Sequence, residues 1–95
     1  MRYIKLNKWR KSDIALICNG YFDIVRITDT YIEILSKNTC HSWILQRRQD
    51  IAFPSYIIIH HRHKNQKYHH KHGLKRTVRE GLEIIKRHDN WVLEF

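Results

Sequence analysis

The sequence predicts an α+β protein: an antiparallel β-sheet of about five or six strands, a meander plus a hairpin, packed on one C-terminal α-helix. Three observations lead there. Short β-rich runs between turn signals fill 13–47. The stretch IIIHHRHKNQKYHHKH, Ile57 to His72, reads as an apolar strand turning into a polar hairpin. Thr77-Val78-Arg79-Glu80 fits a capping box ahead of apolar residues at helical spacing.

Each element follows from local chemistry. Residues 1–12 carry Arg2, Lys5, Lys8, Arg10 and Lys11 with no acid. Trp9 offers an aromatic anchor there, and the segment reads as an edge strand and loop. In DIALIC-NG-YFDIVRI, Asn19-Gly20 separates two β-rich runs, the pattern of a type I′ hairpin with strands at 13–18 and 21–28. A helix over Ser12–Cys18, capped by Ser12 or Asp13 and ended by Asn19-Gly20, competes with that reading. Strands follow at 30–36 and 39–47. A two-residue Lys37-Asn38 turn would set Ile32 against Trp43 and Ile34 against His41. Residues 47–54 form an irregular connection, and Pro54 marks entry to a strand at 55–63 whose Ile57, Ile58 and Ile59 suit burial on both faces. The helix is expected over 77–88, with Val78, Leu82 and Ile85 inward and Lys86, Arg87 and His88 in its last turn. Asp89-Asn90 would end it, before a short strand or clasp of Trp91, Leu93 and Phe95. The predicted core is Ile24, Ile32, Ile34, Trp43, Ile57, Ile59, Val78, Leu82 and Ile85.

Ninety-five residues suit a single domain, 1–95. No apolar run approaches the roughly 20 residues that a membrane span needs. The basic N-terminus lacks the apolar region of a secretory signal. Cys18 and Cys40 form no C-x-x-C, which suits reduced thiols in a cytoplasmic protein, and their apolar runs suggest inert core positions. Ile, Lys and Asn usage suits an AT-rich coding sequence of a bacterial or phage kind.

The chemistry concentrates in 57–76. Ile57–His72 holds six of the eight histidines and four Lys/Arg, and no Asp or Glu occurs between Asp50 and Glu80. With net charge +9 and pI about 9.9, an anionic partner is the first expectation. Arg62, Lys64, Lys67, Lys71, Lys75 and Arg76 form the phosphate-facing set, supported by Arg47 and Arg48, and Tyr68 is placed to stack on a base. The helix start at Thr77 adds backbone amides. Histidine protonation below about pH 6.5 should tighten binding. The expected partner is therefore RNA or DNA, although no established RNA- or DNA-binding motif is present. An acidic protein partner and a homodimer formed through an edge strand are the alternatives.

The same hairpin permits metal chemistry. A two-residue Asn65-Gln66 turn would pair Lys64/Lys67, His63/Tyr68, Arg62/His69, His61/His70 and Ile59/His72. His61, His63, His70 and His72 would then share one face, close enough to converge on Zn²⁺. None of the usual ligand spacings is present, so no cofactor is the default and zinc the alternative.

An enzymatic reading needs a general base, a general acid and a cation for phosphorane charge. His41 or one of His60–His72 could move the proton, and Lys71 or Arg62 could hold the charge. The order Thr39-Cys40-His41, Ile57-Ile58-Ile59 and His72-Gly73-Leu74 before Thr77-Val78-Arg79 is similar to HicA-type toxins, small basic proteins with a dsRNA-binding-like fold and a strand-borne catalytic histidine. That resemblance, over roughly half the chain, implies a metal-independent ribonuclease. It departs at the family's Gly-Ser-His, which is Thr-Cys-His here. The residues favour binding over catalysis, and no catalytic residue is assigned.

Overall fold

A computed structural model describes residues 9–47 and 57–94. The order is α1 (Lys11–Ile17), β1 (Phe22–Ile27), β2 (Tyr31–Ser36), β3 (Ser42–Arg47), β4 (Ile57–Arg62), β5 (His70–Lys75) and α2 (Val78–Glu94). The strands form one antiparallel meander, β1-β2-β3-β4-β5. The α+β class and the C-terminal helix are as the sequence predicts. The expectations for residues 1–8, Arg48 and Pro54 lie outside the described residues. No described helix is long and apolar enough to cross a membrane.

Three elements differ from expectation. The first run is a helix, not a strand. Its seven residues place half-buried Ile14 and buried Ile17 on one side, with Asp13 in the first turn. Gly20 then adopts φ 107, which a side chain would resist, so Asn19-Gly20 leads out of this helix instead of closing a hairpin. The β2–β3 turn is longer than two residues. Ile34 pairs with Trp43 and Ile32 with Leu45, a slip of two from the expected register that keeps each residue on its expected face. The Ser36 amide donates to the His41 carbonyl, the Cys40 amide donates to the Ser36 carbonyl, and Cys40 takes φ 63 between them. Finally, α2 runs through Asp89-Asn90 to Glu94. Asp89 does not stop the helix, because its carboxylate is committed to tertiary hydrogen bonds.

The core lies between one sheet face and α2, with α1 beside it. Every predicted core residue is buried except Ile24, which packs on it half-buried; Ile17, Phe22 and Leu45 complete it. Trp43 is fully buried, and its indole N–H donates to the Ser36 hydroxyl at 3.1 Å. Cys18 and Cys40 are both exposed, not core residues, because each sits in a turn. The Thr77 hydroxyl accepts the Glu80 amide at 3.1 Å, as the capping box predicts. Glu80 reaches back to the Arg76 amide, one residue before the expected one. Gly81 lies over the sheet, where an added Cβ would meet Ile59 and Leu45 at 3.4–3.6 Å, ordinary contact distance.

Candidate functional site

The sheet separates two chemistries. Cross-strand rows alternate between its faces. One row runs Ile34–Trp43–His61–His70 beneath the helix side. The next runs Glu33–Ile44–His60–Lys71, and beside it Leu35–Ser42–Arg62, on the side that no described helix covers.

On the helix side, β4 and β5 supply a local imidazole cluster. His61 pairs with His70 as the hairpin reading has it. A bulge after Ile59 changes the rest: Ile59 pairs with Gly73 instead of His72. The bulge lets both His70 and His72 turn toward His61, with ring centroids 5.3 and 5.8 Å away. The expected pairs Lys64/Lys67, His63/Tyr68 and Arg62/His69 do not form ladder contacts, because β4 ends at Arg62 and β5 starts at His70. Asn-Gln lacks the glycine a tight I′ turn favours, and a wider loop with a Gln66-to-His63 backbone bond forms.

Two histidines from elsewhere complete the cluster. His41 precedes β3, and its ring contacts those of His61 and His63 at 4.8 and 4.5 Å. His88, on the α2 face that carries Ile85, lies 4.6 Å from His61 and 5.1 Å from His72. The Trp43 ring floors the group, 4.3 Å from His61. His41 Nδ1 and His61 Nε2 share a hydrogen bond of 2.8 Å. One ring nitrogen from each of His41, His61 and His88 lies within 4.8 Å of the other two. Of the four histidines expected to share a face, His61 is at the centre, while His63, His70 and His72 form its rim. His41 was expected to face Ile34 and His88 to cap the helix dipole. Their positions two before Trp43 and three after Ile85 are the only sequence hints that both turn inward.

Asp89 fixes this geometry. It is fully buried and accepts from the Tyr21 hydroxyl at 2.8 Å and the Thr39 hydroxyl at 3.1 Å. Thr39 is two residues from His41, and Asp89 adjoins His88. The bond therefore ties the turn that carries one histidine to the helix that carries the other.

Burial disfavours the charged form of His41, His61, His72 and His88. Burial pushes the His61 pKa down to about 3, and its neighbours His88, His41, His70 and His72 push the same way. Burial also lowers His41, His72 and His88; Asp89 partly offsets this at His41 and His88. On the other face His60 and His69 are lowered by burial and by Lys71 and Arg62 respectively. The expectation that histidine charge appears just below pH 6.5 is thus corrected for these six: their protonation begins at lower pH.

The basic set stands on the opposite side and on the hairpin. His60 and Lys71 are directly paired, and His60 Nε2 shares a hydrogen bond with Gln46 Oε1 at 2.8 Å. Arg62 Nη1 donates to the Gln66 carbonyl, bracing the hairpin loop. Lys64 and Lys67 are exposed on that loop. Tyr68 is 73% exposed, with Lys67 Nζ 5.5 Å from its ring centre. Lys71 and Lys75 are exposed on the edge strand β5, but Lys75 pairs with core residue Ile57 and so lies in a helix-side row, and Arg76 precedes α2. The Glu80 carboxylate already occupies the Arg76 amide, so the helix start is a poorer anion site than Thr77 alone suggests. Trp9, expected as an anchor of the basic arm, donates its indole N–H to the Thr28 carbonyl beneath the Arg47 guanidinium.

Comparison with protein-family models, curated proteins and solved structures finds no match.

Proposed function

We propose that this is a cytoplasmic nucleic-acid-binding protein of a bacterial or phage kind, and that it binds through its basic hairpin and the sheet face that no described helix covers. One observation carries the reading: Arg62, Lys64, Lys67 and Lys71 project from a hairpin with no acid on it, and Lys71 and Arg62 continue into cross-strand rows of the face that no described helix covers. Clustered cations gain affinity by displacing counterions from phosphates. Tyr68, exposed beside Lys67, supplies a stacking surface for an unpaired base. A single strand, RNA or DNA, is the favoured ligand because stacking needs an unpaired base, and single-stranded RNA serves as the probe.

The ribonuclease alternative has less support. His41, the residue that the HicA resemblance would make catalytic, is only 2% exposed and hydrogen-bonded to His61, so a phosphate on the surface does not reach it. An acidic protein docking on the same cations remains the competing binding mode.

The test is fluorescence anisotropy with labelled single-stranded RNA and duplex DNA across a salt series, with EDTA present. Four phosphate contacts predict a log K against log [salt] slope of about −3. Absence of binding at low salt to either ligand refutes the proposal.

A further inference from the structure

We infer that His41, His61 and His88 form a binding site for one divalent zinc ion per chain. The site draws one ligand each from the β2–β3 turn, the end of β4 and α2. Nothing in the local sequence spacing joins them.

Geometry comes first. A tetrahedral zinc with Zn–N bonds of about 2.0–2.1 Å separates its ligand nitrogens by about 3.3 Å. One ring nitrogen from each of the three lies within 4.8 Å of the other two, and His41 Nδ1 and His61 Nε2 are 2.8 Å apart. Bringing separations of up to 4.8 Å to that value takes a change of no more than about 1.5 Å in any one of them.

The alternative is a polar core that satisfies itself. The His41–His61 bond fits that account, but His88 does not. Its Nδ1 is buried and has no hydrogen-bond partner among the described residues. Leaving a buried nitrogen unmet is a cost to the fold, and the hydrogen bond that these imidazoles share, His41 to His61, does not involve His88. A metal replaces that arrangement with three ligand bonds.

The surroundings suit a cation. Zinc takes neutral imidazole, the ordinary form of a histidine above about pH 6.5. The buried Asp89 carboxylate, adjoining His88 and bonded to Thr39, supplies a nearby negative charge and fixes the ligand-bearing segments. His63, against His41, and His72, against His88, stand at the rim for the fourth position, which water fills if neither moves in.

The experiment uses untagged, EDTA-treated protein, dialysed free of chelator and titrated with zinc chloride by calorimetry. One ion per chain is expected. His88→Gln and His41→Gln should each weaken binding by more than the roughly 10–100-fold that outer-shell changes cost. His60→Gln, on the other face, should bind as the wild type does. Imidazole ¹⁵N spectra of the unaltered protein give a second readout independent of variant folding: zinc should shift His41, His61 and His88 together. Failure to bind zinc at micromolar concentration overturns the proposal. So does zinc that shifts only His63, His70 and His72, which is adventitious binding by the hairpin surface. Because RNA binding is measured in EDTA, the two claims fail separately.

Discussion

Acidification should unfold this protein through its buried histidines. His61 is 6% exposed, and its pKa falls from 6.5 in the unfolded chain to about 3 in the fold. Between those values the unfolded state holds the proton and the folded state does not, so stability rises with pH. The contribution is complete above pH 6.5 and lost progressively toward pH 3. At pH 5 the unfolded chain has gained about 2 kcal/mol from His61 alone, at 1.36 kcal/mol per pH unit over 1.5 units. That figure holds for any folded pKa well below 5. His41, His72 and His88 are lowered too, and each adds in the same direction. Small domains typically have only about 5–15 kcal/mol to lose. The assay is urea denaturation in EDTA at pH 7.5, 6.5, 5.5 and 5.0. With a urea slope of about 1–1.5 kcal/mol/M, the midpoint should drop by roughly 1–2 M across the series, or more. His61→Leu, which removes the titrating group, should flatten that dependence even if its stability at neutral pH differs. A midpoint that stays constant or rises from pH 7.5 to 5.0 refutes the reasoning.

Tyr21→Phe removes one of two hydroxyl donors to the fully buried Asp89 carboxylate. It should cost about 1–3 kcal/mol in chemical denaturation; a cost below the error of the fit would mean the bond contributes little. Gly81→Ala should stabilise α2 by up to about 1 kcal/mol, because a methyl there meets Ile59 and Leu45 at ordinary contact distance. A clear loss of stability would show that the helix cannot accommodate the methyl. Combined Lys64→Glu, Lys67→Glu and Lys71→Glu should remove most RNA affinity and flatten the salt slope while leaving the urea midpoint close to wild type, since all three are exposed. Unchanged affinity removes this patch from the account.

The fold was legible where periodicity was strong. Alternation along 31–47 and the i, i+4, i+7 spacing of Val78, Leu82 and Ile85 identify the sheet and α2, because one-sided burial leaves its mark on every second or every third to fourth residue. Seven residues of α1 were too few to show a period beyond doubt, and Asn-Gly terminates helices as well as hairpins. The β2–β3 register depended on turn length. A local reading cannot see that Cys40 adopts a positive φ, with Ser36 bonded to His41 around it. Asp89-Asn90 carries a stop signal that tertiary bonding overrides. The histidine cluster was half legible for the same reason. His61, His70 and His72 belong to one hairpin and are close in sequence. His41 reaches them through the pairing of β3 with β4, and His88 through the packing of α2 on the sheet, the two joined by a buried Asp89 whose role no local pattern announces.

Single-stranded RNA should meet the hairpin and the sheet face that no described helix covers, away from the histidine core. The decisive measurement is a nuclear magnetic resonance titration of the ¹⁵N-labelled protein with a short single-stranded RNA in EDTA. Shifts are expected at His60, Arg62, Lys64, Lys67, Tyr68 and Lys71, with the ring signals of His41, His61 and His88 undisturbed. Shifts concentrated at His41, His61 and His88, or spread over α1 and α2 with the hairpin silent, would contradict it.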